Sequence, residues 1–214
     1  DYVVFDIETT GFSPVKNNLI EIGAVKVQHG KITDHFSTFV NPREPIPYRI
    51  TQLTSITDHD VMDAPTIETV LPEFLEFSKD CVMVAHNASF DMSFIRENAA
   101  RQHLEREFTV VDTVGIARIL LPNQAKHTLD ACAKTMGVSL ENHHRAVDDA
   151  EATAQIFEKF LPMLMEKNVE KLEDINRLAE DNKDAIKKLP YYHIIILAKN
   201  EVGRINLYKL ISES

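Results

Sequence analysis

The first forty residues combine apolar runs with short polar turns, which is typical of β-structure. Residues 2–7 form a run of β-branched and aromatic residues and predict a buried strand. Residues 19–28 and 31–40 are apolar or alternate with polar positions on either side of His29-Gly30, and this arrangement predicts a hairpin. We therefore expect three neighbouring antiparallel strands at the start of the chain.

Beyond the proline-containing loop at 41–47, helices alternate with short strands. Apolar residues at helical spacing predict helices over 66–77, 89–103, 128–136 and 144–165. Short apolar runs predict strands over 81–86 and 109–112. The order of these elements predicts an α/β fold with a mixed central β-sheet, antiparallel in its first three strands and then parallel, flanked by helices.

The distribution of charge changes near Asn168. Residues 1–166 carry 14 basic and 25 acidic side chains, whereas residues 167–214 carry 9 and 8. The chain also begins at Asp1 directly in a strand, as we expect of a segment cut from a longer protein. We predict three parts: a domain over 1–166, a linker over 167–189 that is a solvated helix, and a strand–helix segment over 190–214.

Composition is that of a globular protein. With 214 residues, 44% of them hydrophobic, the chain is too apolar to be wholly disordered, yet no apolar run approaches the ~20 residues that cross a bilayer. A net charge of −10 argues against binding nucleic acid by bulk charge alone, but it suits an enzyme that gathers carboxylates around metal ions. Cys81 and Cys132 are predicted to be buried free thiols in a reducing compartment.

Two acidic residues, Asp6 and Glu8, stand at the end of the first predicted strand. Residues i and i+2 of a strand point to the same face, so the two carboxylates lie side by side in an otherwise apolar run. Repulsion and desolvation disfavour this arrangement, and a bound cation offsets both effects. The alternative is a pair of solvent-facing acids. The turn Thr9-Thr10-Gly11 follows, with hydroxyl and amide groups available to an anion.

A third acid, Asp91, ends the segment His86-Asn87-Ala-Ser-Phe-Asp91 near the start of a predicted helix. It precedes Phe94 and Ile95 by three and four residues, so it lies on the apolar face of the helix, toward the sheet. The alternative is a helix N-terminal cap that points to solvent. Asn87-Ala-Ser89 also matches a glycosylation sequon, which we reject because no secretory signal accompanies it.

A fourth acid, Asp149, lies at the start of the last long predicted helix. It shares a helical stripe with Ile156 and Phe160 and therefore faces the core, whereas Asp148 falls on the polar stripe. We expect His144 in the loop just before the helix, over the same site. An imidazole pKa near 6.5 suits proton transfer near neutrality, so His144 is a candidate general base, and a surface histidine is the alternative.

Three short motifs therefore occur in order: Asp6-x-Glu8, Asn87-x-x-x-Asp91 and His144-x-Ala-x-x-Asp149. Together with the Thr-Thr-Gly turn, they resemble the signature of the DEDDh 3′–5′ exonucleases, without a visible departure, over roughly residues 1–166. This family includes the proofreading domains of bacterial replicative polymerases. The resemblance implies an RNase H-like fold. It also implies hydrolysis of the terminal phosphodiester of single-stranded or mismatched DNA 3′ ends, with release of nucleoside 5′-monophosphates.

The resemblance also implies a role for each site residue. Asp6, Glu8, Asp91 and Asp149 together hold two divalent metal ions, Mg²⁺ or Mn²⁺, for which carboxylate oxygens are suitable ligands. The ion that carries the attacking water is held by Asp6, Glu8 and Asp149. Asp6 also bridges to the second ion, and Asp91 supports the site. His144 removes the proton of the water.

Weaker predictions concern contacts with the DNA 3′ end. By resemblance, the loop at 49–54 lies beside the terminal base, where Leu53 wedges against it, and ordinary core is the alternative for Leu53. The other candidate substrate-binding residues are Thr9, His86, Asn87 and Arg145, with Lys126 and His127 as further phosphate contacts. The acidic charge implies weak, salt-sensitive DNA affinity, so we expect the polymerase to deliver the strand. No membrane partner is expected.

The segment at 190–214 resembles a strand–helix piece of the PHP domain in bacterial polymerase III alpha subunits. The resemblance rests on Tyr192-His-Ile-Ile-Ile-Leu-Ala-Lys-Asn200 and Asn206-Leu-Tyr-Lys-Leu-Ile211. In the PolC type of these subunits, the exonuclease is inserted into the PHP domain. The implied partners are the rest of the polymerase III alpha chain and the replisome, and the implied location is the bacterial cytoplasm.

Three alternatives to this interpretation are open. A DEDDh exoribonuclease that trims short RNA would carry the same motifs, but it would not explain the PHP-like tail. A partner-binding module that has lost its metal site would not be expected to keep all five site positions filled. A phosphoesterase in the PHP-like segment would need more metal ligands than His193 alone.

Overall fold

A computed structural model describes residues 1–140, 144–169, 171 and 174–175. The strands are β1 (Tyr2–Thr9), β2 (Leu19–Gln28), β3 (Lys31–Phe39), β4 (Val82–Ala85) and β5 (Val110–Asp112). The helices are α1 (Tyr48–Thr54), α2 (Asp58–Val61), α3 (Ile67–Phe77), α4 (Ala88–Arg101), α5 (Thr113–Leu120), α6 (Leu129–Met136) and α7 (Ala146–Met165). The predicted segment over 190–214 and most of the predicted linker lie outside the described residues.

The five strands form one mixed sheet in the order β3-β2-β1-β4-β5. β1 pairs antiparallel with β2, and β2 with β3, whereas β4 is parallel to β1 and β5 is parallel to β4. β1 occupies the centre because Val3, Val4 and Phe5 are fully buried, as a strand covered on both faces requires. The predicted fold class and the three antiparallel strands are confirmed.

An apolar core lies on each face of the sheet. On one face, α3 and α4 bury Phe74 and Phe94 against the strands. On the other face, α5, α6 and α7 cover the sheet, and α7 packs along β1 and β2 with Ile156 and Phe160 in the core. Because β1 and β4 are parallel, the acidic end of β1 and the start of α4 meet at the same edge of the sheet.

Three short helices, α1, α2 and α5, were not predicted. The prediction of a loop over 49–54 is wrong, because these residues lie within α1. α1 buries only Ile50 and Thr54, and α2 has four residues, so neither is long enough to show a helical repeat. α5 follows β5 without a separating turn, since the carboxylate of Asp112 accepts a hydrogen bond from the N–H of Val114 at 2.9 Å.

The first turn of α7 approaches β2 more closely than a side chain would permit. A Cβ atom at Gly23 would overlap the backbone of Ala146 and Val147. Gly23 also lies directly opposite Asp6 in the register of β1 and β2. The start of α7 is therefore seated on the sheet next to the strand that carries the first two acids.

Both cysteines are free thiols. Cys132 is buried as predicted, whereas Cys81 is only partly buried, so the prediction of burial fails for Cys81. Within the part of the chain that the structure describes, no helix combines the length and the apolar content needed to cross a membrane.

Candidate active site

The end of β1 presents two carboxylates on one face. Asp6 and Glu8 are partly exposed, whereas Ile7 between them is buried, as the alternation of a strand requires. The register of β1 and β2 shifts between Glu8 and Thr9, and the hydroxyl of Thr9 donates to the carbonyl oxygen of Gly11 at 2.6 Å. The strand therefore ends in a tight polar turn directly after Glu8.

α4 brings Asp91 to the same edge of the sheet. Asp91 is 2% exposed and is buried within the fold, so the alternative of a solvent-facing cap is wrong. Asn87, the N-cap residue, has a left-handed backbone with φ of 71°, which Asn adopts more readily than most residues. Its N–H donates to Oδ1 of Asp112 at 3.1 Å. Asp112 thereby fixes the turn from which α4 begins.

α7 supplies Asp149, and the segment before it supplies His144. Asp149 is 4% exposed, whereas Asp148 is partly exposed, so Asp149 is the acid that faces the core. His144 lies before the helix with φ of 70°, and its N–H donates to Oδ2 of Asp149 at 3.1 Å. This bond positions His144 and Asp149 as one unit.

These three segments converge on a cavity of about 170 Å³. One ligand atom each from Glu8, His144 and Asp149 lies within 4.8 Å of the others. Asp6 and Asp91 line the same cavity, so the structure brings together all five residues predicted for catalysis and metal binding. The other lining residues are Ile7, His86, Phe90 and Leu129.

Burial and mutual repulsion perturb the carboxyl groups of this cluster. Burial, and then the charges of Asp149 and Glu21, raise the pKa of Glu8 to about 8. Burial also raises the pKa of Asp91 to about 8. Burial, and then the charge of Asp91, raises the pKa of Asp6 well above its ordinary value. In each case the charged form is disfavoured unless a cation lies nearby.

The donor set of the cavity fits a divalent cation. Asp6, Glu8, Asp91 and Asp149 offer hard oxygen ligands, which suit ions such as Mg²⁺ and Mn²⁺. A cation among them would relieve the repulsion that raises the pKa values of these acids. Perturbed carboxyl groups that share one concave site are also the usual sign of a functional centre.

The weaker candidates for DNA contacts differ in their exposure and in their hydrogen-bond partners. Leu53 is 50% exposed on α1, so the alternative that it belongs to the core is wrong. Thr9 is buried and its hydroxyl is bonded to Gly11, whereas Asn87 is exposed at the start of α4. Of the predicted substrate-binding residues, His86 lines the cavity.

The ring of His86 is held through both nitrogens. Nδ1 lies 2.9 Å from the hydroxyl oxygen of Thr113, and Nε2 lies 2.9 Å from the carbonyl oxygen of His127. Burial lowers the pKa of His86, which favours a neutral ring that donates from Nε2 and accepts at Nδ1. A ligand would therefore meet a carbon edge of this ring.

Lys126 is exposed, and the ring of His127 lies 3.0 Å from the carbonyl oxygen of Leu121.

Two buried acids near the site, Glu21 and Asp112, were missed in the sequence analysis. Glu21 is 1% exposed and accepts a hydrogen bond from Nη2 of Arg145 at 2.8 Å, so the predicted phosphate contact Arg145 is already engaged. Asp112 is 6% exposed and fixes the starts of α4 and α5. The available signal for Glu21 was a charge inside an apolar strand, because a buried carboxylate requires a partner.

Comparison with known proteins decides the family. A family model described as Exonuclease matches residues 3–157. The chain belongs to this Exonuclease family. Over 213 residues the exonuclease is 53% identical to a DNA polymerase III PolC-type of Clostridium perfringens, a match that covers 99% of this chain and 15% of the relative. The exonuclease thus spans about 15% of the length of the curated relatives it matches.

Solved structures agree with this assignment. Exonuclease X, in complex with 5′ overhanging duplex DNA, has a TM-score of 0.62 and 30% identity, covering 76% of this chain and 92% of that one. The nuclease domain of 3′hExo, a DEDDh family member bound to rAMP, has a TM-score of 0.63 and 17% identity, covering 76% and 90%. The chain therefore shares the RNase H-like fold of these solved exonuclease structures.

Proposed function

We propose that this exonuclease removes nucleotides one at a time from the 3′ ends of DNA strands and thereby proofreads during replication. The observation that carries the proposal is the convergence of four carboxylates and His144 on one cavity. The 53% identical relative is a DNA polymerase of the PolC type. The similar Exonuclease X structure contains overhanging duplex DNA. Both relatives support DNA as the substrate.

The acids of the cavity are proposed to hold two divalent ions, Mg²⁺ or Mn²⁺. The residues that would hold them are Asp6, Glu8, Asp91 and Asp149. When bound, such ions lower the pKa of water and stabilise the charge on the attacking and leaving oxygens. The chain itself keeps these carboxylates in place by carrying them on β1, α4 and α7, which meet at one edge of the sheet.

His144 is proposed to be the general base. A ring nitrogen lies within 4.8 Å of carboxylate oxygens of Glu8 and Asp149, where it is placed to accept the proton of the attacking water. The water oxygen bonds to phosphorus, and the bond from phosphorus to the 3′ oxygen of the remaining strand breaks. The leaving oxygen takes a proton from solvent. The products are a nucleoside 5′-monophosphate and a strand one nucleotide shorter with a free 3′ hydroxyl.

The shape of the cavity favours an unpaired strand end. A paired terminus hides its last phosphodiester from a concave site of about 170 Å³, whereas a mismatched terminus frays at lower cost. This difference alone favours the removal of errors. His86, Thr9 and Asn87 are proposed to contact the terminal nucleotide, because they lie in the cavity lining or next to the residues that form it. Leu53, which is half-exposed on α1, is proposed to contact the terminal base on the resemblance alone.

Digestion of a 5′-labelled primer on a template tests the proposed function. With Mg²⁺ the label should appear in strands shortened by one nucleotide at a time from the 3′ end, faster for a mismatched than for a matched terminus. EDTA should stop the reaction, because the site depends on divalent ions. Digestion that persists in EDTA, or that starts at the 5′ end, would refute the proposal.

RNA of the same sequence serves as the control for the alternative of an exoribonuclease. The DNA polymerase relatives do not favour that alternative. We expect the DNA strand to be shortened faster than the RNA strand under the same Mg²⁺ concentration. The opposite order would support RNA trimming and contradict the proofreading role.

Without divalent ions, the stability of the protein should decrease as pH rises. Free acids titrate near pH 4 to 4.5, whereas Glu8 and Asp91 in the folded state have pKa values of about 8. Between these two sets of pKa values, the folded state therefore binds more protons than the unfolded state. Stability is lost through this window by up to ~1.4 kcal/mol per pH unit for each such group. Melting temperatures in EDTA from about pH 5 to about pH 8 measure the effect.

Mn²⁺ should raise the melting temperature, and more so at the higher pH. The ion binds deprotonated carboxylates of the folded state, so proton release accompanies its binding. Asp91→Asn should weaken both the pH dependence and the Mn²⁺ effect, whereas Glu97→Gln, at a partly exposed position of α4, should leave both unchanged. A melting temperature in EDTA that increases toward pH 8 contradicts the prediction.

The exonuclease is proposed to act as the domain over 1–166 of a longer polymerase chain in the bacterial cytoplasm. The linker over 167–189 and the PHP-like segment over 190–214 are proposed on the resemblance of their sequences alone. The net charge of −10 weakens the encounter with DNA. The rest of the polymerase III alpha chain and the replisome are therefore proposed to deliver the 3′ end.

A further inference from the structure

A buried carboxylate on β2 contacts the start of α7. Glu21 lies within an apolar strand, is 1% exposed, and pairs with Glu8 in the register of β1 and β2. Its Oε1 accepts from Nε and Nη2 of Arg145 at 3.1 and 2.8 Å. Its Oε2 accepts from the N–H of Ala146 at 3.1 Å and from Nε of Arg145 at 3.3 Å. Glu21 thus binds the two residues with which α7 begins.

These contacts supply hydrogen-bond acceptors at the N-terminal end of α7, where the first backbone N–H groups have no acceptor within the helix. Arg145 is the N-cap residue, and within the described residues its side chain makes no capping hydrogen bond to the helix. The N–H of Ala146, at the first helical position, donates instead to the carboxylate of Glu21 on β2. A carboxylate at this end is also favoured by the helix dipole. The strand replaces the missing cap.

Two neighbouring contacts also hold the first turn of α7 against the sheet. The guanidinium of Arg145 lies over the ring of Phe39, 5.0 Å from its centroid, on β3. Gly23, two residues after Glu21, permits the close approach of the backbone at Ala146 and Val147. The first turn of α7 is therefore fixed by a charged pair, a ring contact and a backbone contact, all from the β2–β3 side of the sheet.

The β2 residues that contact the start of α7 lie directly opposite the acids of β1. Glu21 lies opposite Glu8, and Gly23 lies opposite Asp6. Asp149 is in the first turn of α7 and bonds the backbone of His144, so any displacement of that turn moves both groups relative to β1. We infer that Glu21 is a positioning residue, which acts through Arg145 and Ala146 to set the distance between the β1 acids and the His144–Asp149 unit. The inference rests on the proposed exonuclease function.

Steady-state kinetics on a single-stranded DNA oligonucleotide with Mg²⁺ test this inference. Glu21→Gln and Arg145→Gln should each lower kcat by about 10- to 100-fold, because small displacements of reacting groups have effects of this size. KM should change less than about threefold, since neither residue is assigned a contact with DNA. The double variant should be no slower than the slower single variant, because both changes break one unit.

A matched control comes from α4. Glu97 forms an ion pair with Arg101 at 2.9 Å on the protein surface, so Glu97→Gln removes the same kind of charge away from the cavity. This variant should keep the kcat of the wild type. Hydrogen–deuterium exchange of peptides that include residues 144–150 should increase in Glu21→Gln and stay unchanged in Glu97→Gln.

The possible results separate the inference from the proposed function. An inactive wild-type protein refutes the exonuclease proposal, whatever the variants do. Active wild type together with a Glu21→Gln kcat within threefold of it overturns the positioning role. The positioning role is also overturned if KM rises tenfold in Arg145→Gln while the kinetics of Glu21→Gln stay normal. That result would show that Arg145 contacts a DNA phosphate. If Glu21→Gln fails to fold, Arg145→Gln decides by its kcat, because this side chain is 40% exposed and tolerates replacement.

Discussion

Replacing Asp6 by alanine should lower the rate of 3′-end digestion by more than about 10⁴-fold, beyond the range expected for loss of a general base. Burial raises the pKa of Asp6 most, and the charges of Asp91, Glu8 and Asp149 raise it further. Asp6 therefore interacts electrostatically with every other acid that lines the cavity. Its removal therefore disturbs the whole proposed metal site. The measurement is the initial rate on the mismatched primer at saturating Mg²⁺.

Loss of activity in this variant should come with a more stable metal-free protein. Removing one carboxylate relieves repulsion among those that stay, so the melting temperature in EDTA should rise for Asp6→Ala and for the closely shaped Asp6→Asn. The rise of melting temperature with Mn²⁺ should shrink in both variants. A folded Asp6→Ala protein that retains more than a tenth of the wild-type rate would show that this acid is dispensable.

Replacing His144 by alanine should reduce kcat by about 10²- to 10⁴-fold, the usual effect of losing a general base. The dependence of kcat on pH should lose its acidic limb, because the group that must be deprotonated is gone. Metal binding should survive, since the oxygen ligands are unchanged, so Mn²⁺ should raise the melting temperature as it does in the wild type. Kinetics at several pH values and thermal melts measure the two effects.

Two further variants keep this prediction specific. His144 has φ of 70°, and Asn tolerates such a backbone better than Ala, so His144→Asn separates loss of the imidazole from backbone strain. His59→Ala removes an exposed imidazole on α2 and should be as active as the wild type. If the Mn²⁺ effect on melting disappears in both His144 variants, His144 is a metal ligand rather than the base.

Much of the fold was predictable because long elements repeat their pattern. β2 and β3 show apolar alternation around a Gly turn, and α7 has a stripe of apolar residues long enough to reveal which of two adjacent acids, Asp148 or Asp149, faces inward. α5 was missed for the opposite reason. It has eight residues, follows β5 directly, and is apolar enough to resemble a strand.

A site residue was predictable where the pattern of its own helix or strand shows which way its side chain faces. Asp91 and Asp149 could be assigned to inward faces from helical phase alone. Glu21 could not, because its role depends on contacts with Arg145 and Ala146, more than a hundred residues later in the chain. For the same reason the sequence suggested a phosphate contact for Arg145, whereas the structure pairs its guanidinium with Glu21.

The acids of the cavity come from segments that are far apart in the chain, β1, α4 and α7. A polypeptide emerging from the ribosome exposes Asp6, Glu8 and Asp91 long before Asp149 and His144 are synthesised. Until α7 has emerged and settled on Gly23, the nascent chain has neither the fourth acid nor the imidazole. Under the proposed function, the site is therefore complete only after α7 has been translated.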